Sequence, residues 1–124
     1  MDERKQALRK RATAFASAVV RFYISLDKSR EEIRVLGRQA LRSGTSVAAN
    51  YREASRARSE AEFISKADQC AQEADETLLW LELLRDDCEV QTKSLEWLLK
   101  EADELIAIFV TMSKNVKARM QAKE

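Results

Sequence analysis

Apolar residues recur at alternating spacings of four and three along nearly the whole chain. This spacing keeps one face of a helix turned towards a partner, as in coiled coils and four-helix bundles. It forms four runs, at residues 8–26, 33–54, 63–88 and 95–116. The pattern predicts an all-α fold, an antiparallel up-and-down four-helix bundle. One domain is expected over 1–124, with helices at about 4–26, 30–57, 59–87 and 93–120.

The second run contains two polar positions, Ser43 and Asn50, among small residues. We expect both to be buried and to fix the register of the bundle, because a buried polar side chain restricts its partners to those that can hydrogen-bond to it. A ligand contact is the alternative interpretation. The spacing continues through Ser43, Gly44 and Thr45, which predicts one long helix there.

The starts of the last three helices carry capping signals, in which a Ser or Thr side chain accepts a hydrogen bond from the first turn. These signals are Ser29 with Glu32, Ser59 with Glu62, and Thr92 or Ser94.

Composition narrows the possible chemistry. The chain has no proline, two glycines and no histidine. Without histidine it lacks the commonest general base and the commonest zinc ligand, so we expect no catalytic residues, no metal and no cofactor. Cys70 and Cys88 lie about 27 Å apart on one predicted helix, too far for a disulfide, which favours buried thiols in a reducing compartment. No segment resembles a signal peptide or a membrane span, so a cytoplasmic protein is expected.

The third and fourth runs are more apolar than one bundle requires. A helix on the surface of a monomer needs an apolar face of only about 100°, and these segments exceed half their circumference. An exposed patch of this kind usually marks an interface. We therefore predict a homo-oligomer, with a different protein on the same face as the alternative. The candidate interface residues are Leu79, Trp80, Leu83, Trp97 and Ile108.

Charge is distributed unevenly. Residues 1–66 hold 15 basic and 8 acidic residues, whereas residues 67–124 hold 7 and 13. Five arginines of the second predicted helix fall within an arc of about 80°, opposite its apolar face. With one arginine that follows the helix, the candidate nucleic-acid contacts are Arg34, Arg38, Arg42, Arg52, Arg56 and Arg58. Basic residues between 4 and 11 add to this charge.

The arginine row has two interpretations. Guanidinium groups bind phosphate through paired hydrogen bonds, and a linear row can follow a nucleic-acid backbone. However, the third predicted helix carries a comparable acidic line, which would pair with the arginines between subunits or would simply be solvated. That line consists of Asp68, Asp75, Glu82, Asp86 and Glu89. The charge pattern leaves both possibilities open.

Several segments resemble one bacterial family. They are LGRQ at 36–39, LRSGTSVAANYREA at 41–54, RARS at 56–59, EFI at 62–64 and EADETLLWLELL at 73–84. They resemble the four-helix-bundle proteins encoded within intervening sequences of ribosomal RNA genes. A related branch is the accessory variability protein of diversity-generating retroelements.

The resemblance implies a cytoplasmic, ring-like homopentamer. In the related branch it implies binding to nucleic acid and to a reverse transcriptase. Together with the arginine row, it favours a non-enzymatic oligomer that binds RNA or DNA electrostatically, as an accessory to a nucleic-acid-processing partner. The alternative is a structural or adaptor oligomer that binds a protein and no nucleic acid.

Overall fold

The computed structural model describes residues 2–124 and consists of four helices. They are α1 (Glu3–Ser25), α2 (Glu31–Ser55), α3 (Glu60–Asp86) and α4 (Lys93–Ala122), with no strand in the described residues. Each helix end lies within two residues of the predicted one. The prediction of one long second helix is confirmed, because α2 runs unbroken through Ser43, Gly44 and Thr45.

The four helices follow one another in chain order around the bundle. Each packs against the next, and α1 also packs against α4, whereas the diagonal pairs do not meet within residues 2–124. Loops of four to six residues join them, so consecutive helices run antiparallel. The α1–α4 contact is the least extensive of the four. Grooves therefore form along that edge.

The core follows the predicted apolar spacing. Each helix supplies large side chains that are almost completely excluded from solvent, including Phe15, Phe22, Leu81, Leu98 and Phe109. Full burial of such a side chain stabilises the fold by about 1.5–3 kcal/mol. Ser43 is also completely buried, as predicted, and its Oγ lies 2.7 Å from the Thr77 hydroxyl of α3.

The prediction that Asn50 is buried is wrong. Asn50 is partly exposed, and its neighbour Tyr51 occupies the core position, packed against Phe109 with ring centroids 6.0 Å apart. The buried positions are Val47, Tyr51 and Ala54, a spacing of four and then three residues. The predicted spacing was three and then four residues, through Asn50. Burial of the aromatic ring favours this phase, because an amide would need buried hydrogen-bond partners.

Two of the three capping predictions are confirmed. The Ser59 side chain accepts from the backbone N–H of Glu62 at 3.0 Å, and Thr92 accepts from that of Leu95 at 3.1 Å. The prediction at Ser29 is wrong. The Ser29 hydroxyl donates instead to Asp27 at 2.6 Å, and the cap position of α2 falls on Arg30, which makes no side-chain cap.

Candidate nucleic-acid interface

The six candidate arginines do not form one uniform row. Arg34 is paired with Glu31 on its own helix. Arg42 reaches across to α3, with Nη2 at 3.0 Å from Glu76 and Nη1 at 3.7 Å from Glu73. These two guanidinium groups are therefore engaged within the chain.

The other four candidates behave differently. Arg38, Arg52, Arg56 and Arg58 are exposed and make no salt bridge within residues 2–124. Arg38 lies 14 residues before Arg52, about 21 Å along the helix. The three remaining arginines cluster where α2 ends.

The fold brings basic residues of α1 and α4 to the same end of the bundle. A shallow groove places Arg9 and Lys10 beside Arg52, and a second groove is shared by Arg52, Arg56 and Arg58. A third groove is lined by Arg58 together with further cations from the start of α1 and the end of α4. We call this continuous surface the basic end; its residues are Arg4, Lys5, Arg9, Lys10, Arg52, Arg56, Arg58 and Arg119.

Most cations of the basic end lack an acidic partner. Only Arg119 among its residues forms a salt bridge in the described chain, at 3.7 Å from Glu60. Two nearby carboxylates are already occupied, since Glu53 accepts from Lys66 at 2.7 Å and Glu60 also contacts Lys123 at 3.1 Å. The hydrogen bond to Glu53 raises the pKa of Lys66, which keeps that pair charged. The basic end therefore carries an excess of positive charge.

Several cations at the opposite end of the bundle are engaged within the chain. Arg30 contacts Glu32 at 2.9 Å, and Arg85 contacts Asp86 at 2.6 Å. The Lys28 ammonium donates to three backbone carbonyls and lies 4.9 Å from the centroid of the Tyr23 ring. The largest group of unpaired cations in residues 2–124 is therefore the one at the basic end.

The acidic line of α3 is only partly engaged. Asp68 lies 3.5 Å from Lys117, and Asp86 is paired with Arg85, but Asp75 and Glu82 form no salt bridge in residues 2–124. None of the line contacts the candidate arginines. Arg42 pairs instead with Glu73 and Glu76, which lie outside it.

The predicted interface residues differ in exposure. Leu79 and Trp97 are the most exposed, each at 47%. Trp80 and Leu83 are partly buried, and Trp80 packs against the core with its Nε1 buried and unpaired in the described chain. Ile108 lines a groove between α1 and α4. Val35, at 46% exposure, is an apolar surface residue that was not among the predicted ones.

The two cysteines are buried and unbonded, as predicted. Burial raises the pKa of Cys70 to about 12, and burial also raises that of Cys88. Both thiols are therefore protonated at neutral pH, which makes them poor nucleophiles and poor metal ligands. Within residues 2–124, no three Cys, Asp or Glu side chains are arranged to hold a metal ion.

Comparison with known proteins assigns the family. The family model for the 23S rRNA-intervening sequence protein matches residues 4–111. The chain belongs to this family. A crystal structure from Bacteroides thetaiotaomicron VPI-5482, described as a protein with unknown function from the S23 ribosomal protein family, is 33% identical. The match covers 86% of this chain and 97% of that one, with a TM-score of 0.77.

The family and the four-helix fold are shown, and the resemblance found in the sequence is confirmed to that extent. Neither match mentions a retroelement, and no curated protein matches the chain. Among the described residues, no helix has the length and apolar character needed to cross a membrane.

Proposed function

We propose that this protein is a non-enzymatic homo-oligomer that binds RNA or DNA through the phosphate backbone, using the basic end. The observation that carries the proposal is the continuous surface on which Arg9, Lys10, Arg52, Arg56 and Arg58 lie without acidic partners in residues 2–124. Counterions released from a phosphate backbone by such a surface supply binding free energy that falls as salt rises.

The chemistry of the basic end favours phosphate over base sequence. Most of its cations are arginines, whose planar guanidinium makes paired hydrogen bonds to phosphate oxygens. The grooves between Arg9 and Arg58 are lined by no aromatic side chain except half-buried Phe63 beside Arg58. Recognition on this surface would therefore be electrostatic, with little readout of sequence.

Two apolar edges on opposite sides of the bundle support the oligomer. The Arg42–Glu76 contact marks the α2–α3 edge. Leu79 and Leu83 lie three and seven residues after Glu76, and Val35 lies seven before Arg42, so these apolar residues share that edge.

The second apolar edge centres on Trp97, which lines a groove with Ala14, Ala18 and Phe22 of α1. In a four-membered arrangement the α1–α4 edge lies opposite the α2–α3 edge. Two different patches on opposite faces suit head-to-tail contacts, which form a ring when the rotation between subunits closes, and do not form twofold dimers. The number five is implied by the family resemblance, and a ring would repeat the basic end in every subunit.

The test is a pair of double variants that remove equal charge. Arg52→Gln with Arg56→Gln removes unpaired cations from the basic end, whereas Arg34→Gln with Arg85→Gln removes paired cations from the opposite end. Fluorescence anisotropy would measure the affinity for a labelled 20-nucleotide RNA, and for the matching DNA, at several salt concentrations.

The first pair should weaken binding and reduce the slope of log K against log salt by about 1.4, since each single-strand phosphate contact contributes about 0.7. The second pair should bind like the wild type. Equal affinities for wild type and both pairs would contradict the proposal.

A structural or adaptor oligomer is the second candidate. The unpaired Asp75 and Glu82 on α3 favour it, because they offer partners for the arginines of a neighbouring subunit or for a basic protein. In that case Arg52→Gln with Arg56→Gln would shift dissociation of the oligomer, and no oligonucleotide would bind. A protein partner, such as a reverse transcriptase or another nucleic-acid-processing enzyme, is compatible with either candidate.

A further inference from the structure

The α1–α4 edge contains a second groove near the basic end, with a volume of about 430 Å³. This volume falls within the range of about 300–1,000 Å³ that is typical of small-molecule sites. Its walls are mainly apolar and include Leu8 of α1 with Ile108 and Met112 of α4. The groove lies where the helices pack least extensively. It is separate from the groove at Trp97, because Ile108 follows Trp97 by 11 residues, about 16 Å along α4.

Tyr51 is the most buried of the residues that line this groove. The side chain is 1% exposed, yet its hydroxyl has no hydrogen-bond partner in residues 2–124. A buried hydroxyl without a partner has lost its hydrogen bonds to water without compensation, so it is rare in native proteins. Burial raises the pKa of Tyr51 to about 12, which keeps the phenol protonated and able to donate.

The rim of the groove is basic. Arg4 and Lys5 line it, and neither forms a salt bridge in the described chain. Arg11 also lines it, but its guanidinium is committed to Glu101 at 2.7 Å. Asp2, the one acidic residue of the rim, accepts a hydrogen bond from the Lys5 backbone N–H at 2.9 Å and caps α1.

We infer that the groove binds a single nucleotide, with the base between Leu8, Ile108 and Met112, a base acceptor on the Tyr51 hydroxyl, and the phosphate at Arg4 and Lys5. Three features must be matched at once: an apolar slot, a donor at its buried end and positive charge at its mouth. A flat heterocycle with a carbonyl or ring-nitrogen acceptor and an attached phosphate matches all three. An aliphatic acid would leave the Tyr51 hydroxyl unpaired.

The position of the groove extends the proposed function, on which this inference rests. Arg4 and Lys5 belong both to this groove and to the third groove of the basic end, which also holds Arg58. A single strand that follows the basic end would therefore reach the slot and could insert one unstacked base. A duplex, whose bases are stacked and paired, could not. The groove would make the protein prefer single strands, as base insertion does in many RNA-binding proteins.

The variant for the test is Tyr51→Phe, which removes only the unpaired hydroxyl. Loss of a buried group that has no partner should not destabilise the fold. Tyr23→Phe is the matched control, because Tyr23 lies near the other end of the bundle and does not line the groove. The first arm titrates each variant with the four nucleoside 5′-monophosphates, and separately with inorganic phosphate, by calorimetry and by NMR of labelled tyrosines.

At least one nucleotide should bind and shift the Tyr51 resonances. Tyr51→Phe should weaken it about 3- to 10-fold, the effect of one neutral hydrogen bond, while Tyr23→Phe leaves it unchanged. Inorganic phosphate should not shift Tyr51. No nucleotide binding, equal affinity after Tyr51→Phe, or an identical response to phosphate alone would overturn the inference.

The second arm separates this inference from the proposed function. It measures a single-stranded oligonucleotide and its duplex with Tyr51→Phe and with the Arg52→Gln, Arg56→Gln pair. The inference predicts that Tyr51→Phe weakens only the single strand, whereas the arginine pair weakens both. Nucleotide binding without oligonucleotide binding would refute the proposed function and leave the groove as a nucleotide site. Oligonucleotide binding that ignores Tyr51 would refute the groove alone.

Discussion

Arg11 of α1 donates two hydrogen bonds to the carboxylate of Glu101 of α4, with Nε–Oε2 and Nη2–Oε1 distances of 2.7 Å each. Arg11 also donates to Glu104 at 3.1 Å. Glu101 is almost completely buried, whereas the Arg11 side chain is 36% exposed. This ion pair spans the least extensive helix contact of the bundle, so it is a main polar link between the first and last helices.

The Arg11–Glu101 pair should make stability depend on pH. The Arg11 guanidinium lowers the pKa of Glu101 below its usual value of 4.5 in the folded state. The contribution is therefore fully present above the unfolded pKa and is lost as the pH falls from about 4.5 through the lower folded pKa. Urea unfolding between pH 7 and pH 3 should show this loss, and Glu101→Gln should reduce it.

Removing one partner of this pair should also destabilise the protein at neutral pH. Arg11→Met leaves the Glu101 carboxylate buried without its partner, and we expect a loss of about 2 kcal/mol in the free energy of unfolding. Arg9→Met, which removes a partly exposed and unpaired cation from the same helix, is the control. A similar loss for both variants would argue against a stabilising role for the pair.

Gly44 allows α1 and α2 to approach closely. A Cβ at this position would lie 2.8 Å from Val19 Cγ2 and 3.0 Å from Val19 Cγ1, and the stiff valine cannot move aside. Gly44→Ala should therefore destabilise the fold by about 1–3 kcal/mol, although alanine favours helices. At Gly37 the nearest atom is the end of the flexible Leu26 side chain, at 2.7 Å. Thermal unfolding should show a smaller effect for Gly37→Ala, and the reverse order would contradict this account.

Cys70 should resist modification in the folded protein. Its side chain is completely buried and its pKa is raised to about 12, so almost no thiolate is present at pH 8. A disulfide reagent that releases a coloured thiol should react with Cys70 only as fast as the protein opens, and rapidly in urea. Cys88→Ser isolates the Cys70 signal. Fast reaction under native conditions would mean that the core opens near Val47, whose carbonyl contacts the Cys70 thiol at 3.8 Å.

A negative charge on either apolar edge should separate the subunits. Leu79→Glu on the α2–α3 edge and Trp97→Glu on the α1–α4 edge should each convert the oligomer to monomers in sedimentation experiments, because each buries a charge in a different half of a head-to-tail contact. Thr111→Glu changes an exposed residue elsewhere on α4 and should leave assembly intact. If only one of the two edge variants acted, the contact would be twofold.

The sequence predicted the helices better than the surface. The core spacing is local, so the four elements and the burial of Ser43 followed from it directly. After Val47, the apolar spacing allows either Asn50 or Tyr51 to be the next buried residue. The large aromatic ring of Tyr51 favours burial of Tyr51. The basic end was not predictable as a unit, because Arg9 and Arg52 are distant in sequence and meet only through the packing of α1 on α2.

Pairing across helices was also outside the reach of the sequence. Arg42 had the same helical position as its unpaired neighbours, and only the register of α3 places Glu76 within 3.0 Å of it. The Tyr51 groove was missed for a similar reason, since it needs the loose α1–α4 edge as well as the buried phenol. A site that is formed by two or more helices depends on how the helices pack, and the apolar periodicity of each helix does not predict that geometry.

The most direct test of the central claim is size exclusion coupled to light scattering, with and without a mixed RNA and DNA oligonucleotide, at low and moderate salt. We predict an oligomer whose mass rises with nucleic acid at low salt and returns to that of the protein alone as salt increases. An oligomer whose mass is unchanged by nucleic acid at both salt concentrations would contradict the proposed function.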